Sequence, residues 1–196
     1  MHAVVMAAGE GRRLRPLTER WPKPILPIEG VPVIAALARE LALAGLGPVS
    51  VVTGHLAEQV EELLGDGSAY GIEARYVRQP RVDGSADAVR RAVEAGARFP
   101  LVVTGADKRF RPGDIGRFAE RFVTSGAPAA LAVEPDGATV PLWGLTEAVR
   151  LSGLSGPPYE LQDAVADLEV ATIEIGKTRD LTDPLDLVRE NFPYLS

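Results

Sequence analysis

The chain has 196 residues, enough for one domain with a buried core that needs no cross-links. Apolar residues make up 46% and charged residues 24%, which excludes a disordered, collagenous or coiled-coil chain. A net charge of −6 argues against a broad nucleic-acid surface, and no apolar run reaches the roughly 18 residues of a membrane span. The opening Met1-His2-Ala3-Val4 has no basic stretch before its apolar run, so a signal peptide is not expected and the cytoplasm is the default compartment. With no cysteine, and only His2 and His55 as imidazoles, thiolate chemistry and a histidine-rich metal site are excluded. A metal would have to be a hard cation on carboxylates, and Mg²⁺ is the natural candidate. Lysine occurs three times, as Lys23, Lys108 and Lys177, in a chain whose usual cation is arginine.

In chain order, Ala3–Ala7 reads as a buried strand, and a Gly/Pro/Arg-rich segment runs from Ala8 to about Val31. Ile34, Leu37, Leu41 and Ala44 fall at helical spacing over Val33–Ala44. Val49–Thr53 is the next strand, Leu56–Leu64 a helix, and Ile72–Val77 an alternating strand. Ser85 is placed to cap a helix through Ala95, and Asp114 one through Phe122. Leu101–Thr104, Ala129–Val133, Leu142–Leu145 and Val170–Ile175 read as strands. Tyr159–Ala166 and Pro184–Asn191 read as helices, and Gly153–Pro158 as a break before a small C-terminal lobe. Such alternation implies α/β architecture with a mostly parallel sheet, and ligands beyond the carboxyl ends of its strands.

The strongest signal is Ala7-Ala8-Gly9-Glu10-Gly11-Arg12-Arg13-Leu14-Arg15-Pro16-Leu17-Thr18, followed by Pro22-Lys23-Pro24-Ile25-Leu26-Pro27. Glycines directly after a strand let backbone N–H groups approach an anion. Arg13 can make a bidentate phosphate contact, and Lys23 adds a compact charge held between prolines. A dinucleotide fingerprint would need glycine where Leu14 stands, and a P-loop would end in Gly-Lys-Ser/Thr. An ordinary surface loop with solvated arginines accounts for the glycines but not for the whole composite.

This composite resembles the signature of the sugar-1-phosphate nucleotidyltransferases, a GxGxRLxPLT loop followed by KPxLP. Val51–Val60 resembles the family's second strand and helix. Gln79-Pro80-Arg81-Val82-Asp83-Gly84-Ser85-Ala86-Asp87-Ala88 resembles its base-recognition turn. Leu101–Asp107 resembles the strand that ends in a metal-binding aspartate, and Asp180–Leu187 the element whose first aspartate is the second ligand. The resemblance is good over residues 1–125, patchy over 126–169 and restored over 170–192. It implies a Rossmann-like three-layer αβα sandwich with a mostly parallel mixed sheet, and one nucleotidyltransferase domain over 1–196. Residues 1–125 would then be the nucleotide-binding core, and 126–196 a reduced acceptor-side and C-terminal portion.

The resemblance also assigns roles. A sugar 1-phosphate oxygen attacks the α-phosphorus of a nucleoside triphosphate, and pyrophosphate leaves; no general base is needed, only positioning and charge neutralisation. Ala8, Gly9 and Gly11 would cradle the triphosphate, Arg13 and Lys23 would neutralise it, and Gln79 and Gly84 would meet the base. Asp107 and Asp180 would hold Mg²⁺, with Glu174 and Asp183 as rivals for the second position. Each residue has a plainer reading: Asp107 and Asp180 as turn residues, Gln79 as a strand end, Ser85 as a helix cap. Trp21 and Trp143 read as packing residues. Lys108 and Lys177 read as solvated, although they flank the two candidate ligands and one of them is a candidate phosphate contact.

The sequence departs from the family in its middle. The family's Glu-Lys-Pro and Asn-Ala-Gly elements, which bind the sugar phosphate, are absent. Val140-Pro141-Leu142 stands where the sugar contact would be, and Trp143-Gly144-Leu145 continues the strand. The acceptor is therefore less defined than the nucleotide. It is expected to be a small phosphorylated molecule, with no nucleic-acid or membrane partner. Two alternatives are a degraded nucleotide-binding regulatory subunit and a cytidylyl- or guanylyltransferase acting on molybdopterin. The latter branch usually lacks the Arg-Pro-Leu-Thr insert found here.

Overall fold

The computed structural model describes residues 1–192. Strand β1 (His2–Ala7) leads through the glycine loop to a small antiparallel pair, β2 (Pro27–Ile28) and β3 (Val31–Pro32). Then follow α1 (Val33–Leu43), β4 (Val49–Thr53), α2 (Ala57–Leu64), β5 (Ala74–Arg78), α3 (Ser85–Glu94) and β6 (Leu101–Gly105). The second half holds β7 (Lys108–Arg109), α4 (Asp114–Ser125), β8 (Ala129–Val133) and β9 (Thr139–Leu145). It ends with the single turn α5 (Leu161–Ala164), β10 (Val170–Glu174), β11 (Arg179–Asp180) and α6 (Pro184–Asn191).

Seven strands form one sheet in the order β10-β8-β9-β6-β1-β4-β5. Only β9 runs antiparallel to its neighbours, β6 and β8. The central strands are buried on both faces, which is why they read as unbroken Val/Ala/Leu runs rather than alternations. The two-residue period of the strands sends successive side chains to opposite sides. Ala3, Val5 and Val51 join Ile34, Leu37, Ile115 and Phe118 of α1 and α4 in one core. Val4, Val52 and Val103 join Ala86, Val89 and Leu161 in the other. Phe118, Ile115, Leu37 and Leu161 are at most 2% exposed, and burial of each contributes roughly 1.5–3 kcal/mol. Layers of helix, sheet and helix follow from this division, as the family resemblance implies.

Four local expectations are corrected. Gly84 and Gly113, not Ser85 and Asp114, precede α3 and α4, and neither helix has a side-chain cap at its start. Asp114, buried in the first turn, instead accepts the N–H of Gly176 at 3.1 Å and pairs with Arg117. The helix expected over Tyr159–Ala166 shrinks to Leu161–Ala164, because Tyr159 is held in extended backbone pairing with the 83–86 turn. The segment after Gly153–Pro158 does not leave the sheet: β10 pairs in parallel with β8. Asp183 caps α6 through a reciprocal capping box with Asp186.

Candidate active site

The loops after β1 and β6 open a cleft of about 400 Å³ at the carboxyl ends of those strands. Ala8, Gly9, Gly11, Lys23, Gly84 and Asp107 all line it. The glycine loop is held from beneath. Gly11 adopts φ +61°, where a side chain is strained, and a Cβ there would stand 2.9 Å from a methyl group of Thr18 and 3.2 Å from Lys23. Thr18 is buried and donates its hydroxyl to the Gly11 carbonyl at 3.0 Å. His55, in the loop after β4, donates from Nε2 to the Thr18 carbonyl at 2.6 Å and from its backbone N–H to the Ala8 carbonyl at 3.2 Å. His55 is a positioning residue that sequence reasoning placed only within a matching segment. Leu14, Leu26, Ile28, Val33 and Leu181 form a small core of their own under the loop, bringing the C-terminal segment against it.

Lys23 is 14% exposed, and its Nζ lies 2.6 Å from Asp107 Oδ2. Lys108 Nζ lies 2.6 Å from Asp180 Oδ2. In the antiparallel pair β7–β11, Lys108 stands opposite Asp180, so Asp107 and Asp180 are one register step apart. The rivals stand elsewhere. Glu174 ends β10 beside an arginine-lined depression on α4, and Asp183 is occupied as a helix cap. Lys177 forms only an exposed pair with Asp136 at 3.7 Å. Arg13 is exposed, forms no hydrogen bond or ion pair among the described residues, and lines a depression of about 200 Å³ with Gly11, Lys23 and Thr182. Its neighbours Arg12 and Arg15 are both engaged by Glu10.

Among the described residues, no group of three or more His, Asp or Glu side chains is arranged to hold a metal ion alone. In donor chemistry the carboxylates of Asp107 and Asp180 suit Mg²⁺, which commonly takes one or two protein carboxylates and completes its shell with water and substrate phosphate, and here each is paired with a lysine.

Gln79 does not line the cleft. It is 2% exposed and donates its amide nitrogen to the Gly84 carbonyl at 3.2 Å and to Asp87 at 2.9 Å. Here it sets the shape of the 79–84 turn, and any base contact would require its amide to leave these partners. Burial pushes the Asp87 carboxyl up, yet hydrogen bonds from Arg91, Gln79 and Arg90 outweigh it and hold it below the usual aspartate value. Gly84, at φ +106°, lines the cleft and has the Tyr159 backbone packed directly on its Cα. A side chain at Gly84 would strike that backbone.

Beyond Gly84 the cleft continues into a second cavity of about 290 Å³ between β8, β9 and α5. Met6, Ser85, Pro141 and Glu160 line both. Pro141 sits where the β8–β9 register shifts, between the pairs Leu131–Trp143 and Ala132–Val140. Proline has no N–H to donate, so it is tolerated at such a bulge, and the bulge turns this part of β9 toward the cleft. Glu160 accepts the Ser85 N–H at 3.2 Å and the Ser85 hydroxyl, which in turn accepts the Leu161 N–H at 2.8 Å. No local signal marks this pair in the sequence, since its members are 75 positions apart. Trp143 is packed against the core as expected, whereas Trp21 is 46% exposed.

Residues 2–141 match the family model described as nucleotidyl transferase. The chain is 42% identical over 80 residues to an N-acetylmuramate alpha-1-phosphate uridylyltransferase of Neisseria meningitidis, covering 41% of this chain and 35% of that one. It is 35% identical over 143 residues to the CMP-5'-(3-aminopropyl)phosphonate synthase of Streptomyces rubellomurinus, covering 71% of this chain and 22% of that one. The matches thus span about a third or less of the length of these relatives. A Bacillus anthracis structure described as a glucose-1-phosphate thymidylyltransferase superposes with TM-score 0.85 over 97% of this chain and 94% of its own, at 21% identity. No helix among the described residues is long and apolar enough to cross a membrane. The family match runs from β1 through the glycine loop and Lys23 to Pro141, and the chain belongs to the nucleotidyl transferase family, as its sequence resemblance led us to expect.

Proposed function

We propose that the chain transfers a nucleoside monophosphate from a nucleoside triphosphate to a small phosphorylated acceptor, a sugar 1-phosphate or a related molecule. An oxygen of the acceptor phosphate forms the new bond to the α-phosphorus as the bond to the β-phosphate oxygen breaks, and pyrophosphate departs with the electron pair. The observation that carries this reading is the convergence of the glycine loop, Lys23 and Asp107 on one cleft at the strand ends.

The nucleophile is already an anion, so the task of the protein is to bring two polyanions together. The amides around Gly9 and Gly11 receive the triphosphate, with nothing within 4 Å of where a Gly9 side chain would stand. Lys23, nearly enclosed, presents charge at the reacting centre, and exposed Arg13 meets the departing pyrophosphate from the rim. Asp107 and Asp180 would hold Mg²⁺, which supplies further neutralisation of phosphate charge when bound. Lys23 and Lys108 keep both carboxylates compensated until then. The 79–84 turn, fixed by Gln79, forms the side against which the base lies. The cavity between β8 and β9 takes the acceptor body.

A pyrophosphate-release assay tests this, pairing each nucleoside triphosphate with a panel of phosphorylated acceptors in Mg²⁺. Release with at least one pairing is expected. Nucleotide binding without release in every pairing contradicts the reading and favours a regulatory nucleotide-binding subunit, toward which the lysine pairing of both carboxylates points.

A further inference from the structure

We propose that the cavity between β8 and β9 selects an acceptor whose body carries hydroxyl or amino groups and no carboxylate, with Glu160 as the specificity-determining residue. This rests on the nucleotidyl-transfer reading and narrows its acceptor. The walls are largely apolar, with Leu131, Val140 and Trp143 among them, and the polar side chains include Thr139, Gln162 and Glu160. Among the described residues, no lysine or arginine lines the cavity.

Glu160 is fixed in place. Its Oε2 receives both the N–H and the hydroxyl of Ser85, while its Oε1 accepts no hydrogen bond among the described residues. A carboxylate held by one oxygen, with the other free beside a cavity, takes O–H or ammonium N–H donors. An acidic acceptor body would place a second anion near Glu160 with no cation to pair it. The cations, Lys23 and Arg13, lie at the glycine-loop end. Each acceptor therefore meets positive charge at its phosphate and negative charge at its body, which fixes its direction in the cleft and rejects a molecule acidic at both ends.

The test compares hexose, hexosamine and hexuronic acid 1-phosphates of the gluco and manno series, in the pyrophosphate-release assay with each nucleoside triphosphate. The parent protein is expected to use a hexose or hexosamine 1-phosphate with kcat/KM about tenfold or more above its hexuronic counterpart. Gln162→Lys adds a cation to the wall without touching Ser85 and is expected to close most of that gap. Glu160→Gln keeps a hydrogen-bonding group toward Ser85 and is expected to reduce any preference for hexosamine over hexose by about fivefold. The melting temperature checks that each variant folds. Equal use of the hexuronic acid, or a gap unchanged in both folded variants, overturns the proposal. No release from any acceptor, with nucleotide binding intact, overturns the nucleotidyl-transfer reading first and this inference with it.

Discussion

At the glycine-loop end of the cleft, Lys23 pairs with Asp107, and Arg13 stands at the rim without a partner among the described residues, while the Lys108–Asp180 pair sits on the adjoining β7–β11 pair. At the β8–β9 end, one carboxylate faces largely apolar walls with no lysine or arginine among the described residues. The first end is suited to a polyphosphate of fixed chemistry, whatever the acceptor. The second differs from the family pattern where acceptors differ from one another. On the function proposed above, the contrast would let one cleft keep a shared reaction centre while a bulge at Pro141 and a glutamate distant in sequence reshape its acceptor end.

The comparison breaks most sharply at Lys23. Lys23→Ala is expected to lower turnover by about 10²–10³-fold with every acceptor, since it removes preorganised positive charge from the reacting centre. Steady-state pyrophosphate release measures this, and a loss confined to one acceptor would contradict the division between the two ends. Arg13→Ala is expected to cost less, about tenfold to a hundredfold, with the melting temperature unchanged because the side chain is exposed and without partners among the described residues. A large drop in melting temperature would place Arg13 in the framework instead.

Gly11→Val acts on shape rather than charge. The strained φ and the contacts with Thr18 and Lys23 are expected to destabilise the fold by about 1–3 kcal/mol and to weaken nucleotide binding, read by urea unfolding and titration calorimetry. The lysines beside the two aspartates sharpen the contrast further. Lys108→Met leaves Asp180 without its cation and is expected to lower turnover by roughly threefold to tenfold. Lys177→Met loses only an exposed pair and is expected to change nothing measurable.

The smallest effect concerns pH. The Asp87 carboxyl is held below its usual value, so its contribution to stability is present above the unfolded aspartate pKa and is lost as pH falls through the folded one. Buried His2 adds to the same acid limb. Burial, Arg75 and the N-terminus keep its pKa low, so it must take up a proton on unfolding below about pH 6.5. Urea unfolding between pH 7 and pH 3 is expected to show a fall in stability that Asp87→Asn makes shallower.

Much of this was legible in the sequence because it is local. Strands buried on both faces announce themselves as apolar runs, and Val49–Thr53 and Ala129–Val133 match to the residue. The glycine loop is contiguous, so its residues and Lys23 could be named together. What escaped notice depends on contacts between distant segments. Ser85 looks like a cap until Glu160 arrives, and nothing near Gln79 in the chain announces that Asp87 and Gly84 engage its amide. Lys108 and Lys177 look alike beside candidate ligands, and only strand pairing separates them.

Leu181 packs beneath Leu14, so the first and last quarters of the polypeptide complete a single corner. Contacts so far apart in order are costly to close before the sheet between them exists. A growing polypeptide released short of residue 179 would have every strand of its central sheet, yet lack Asp180 and the floor under its anion loop. On the nucleotidyl-transfer reading proposed above, a product truncated before residue 179 is expected to be inert rather than half-active.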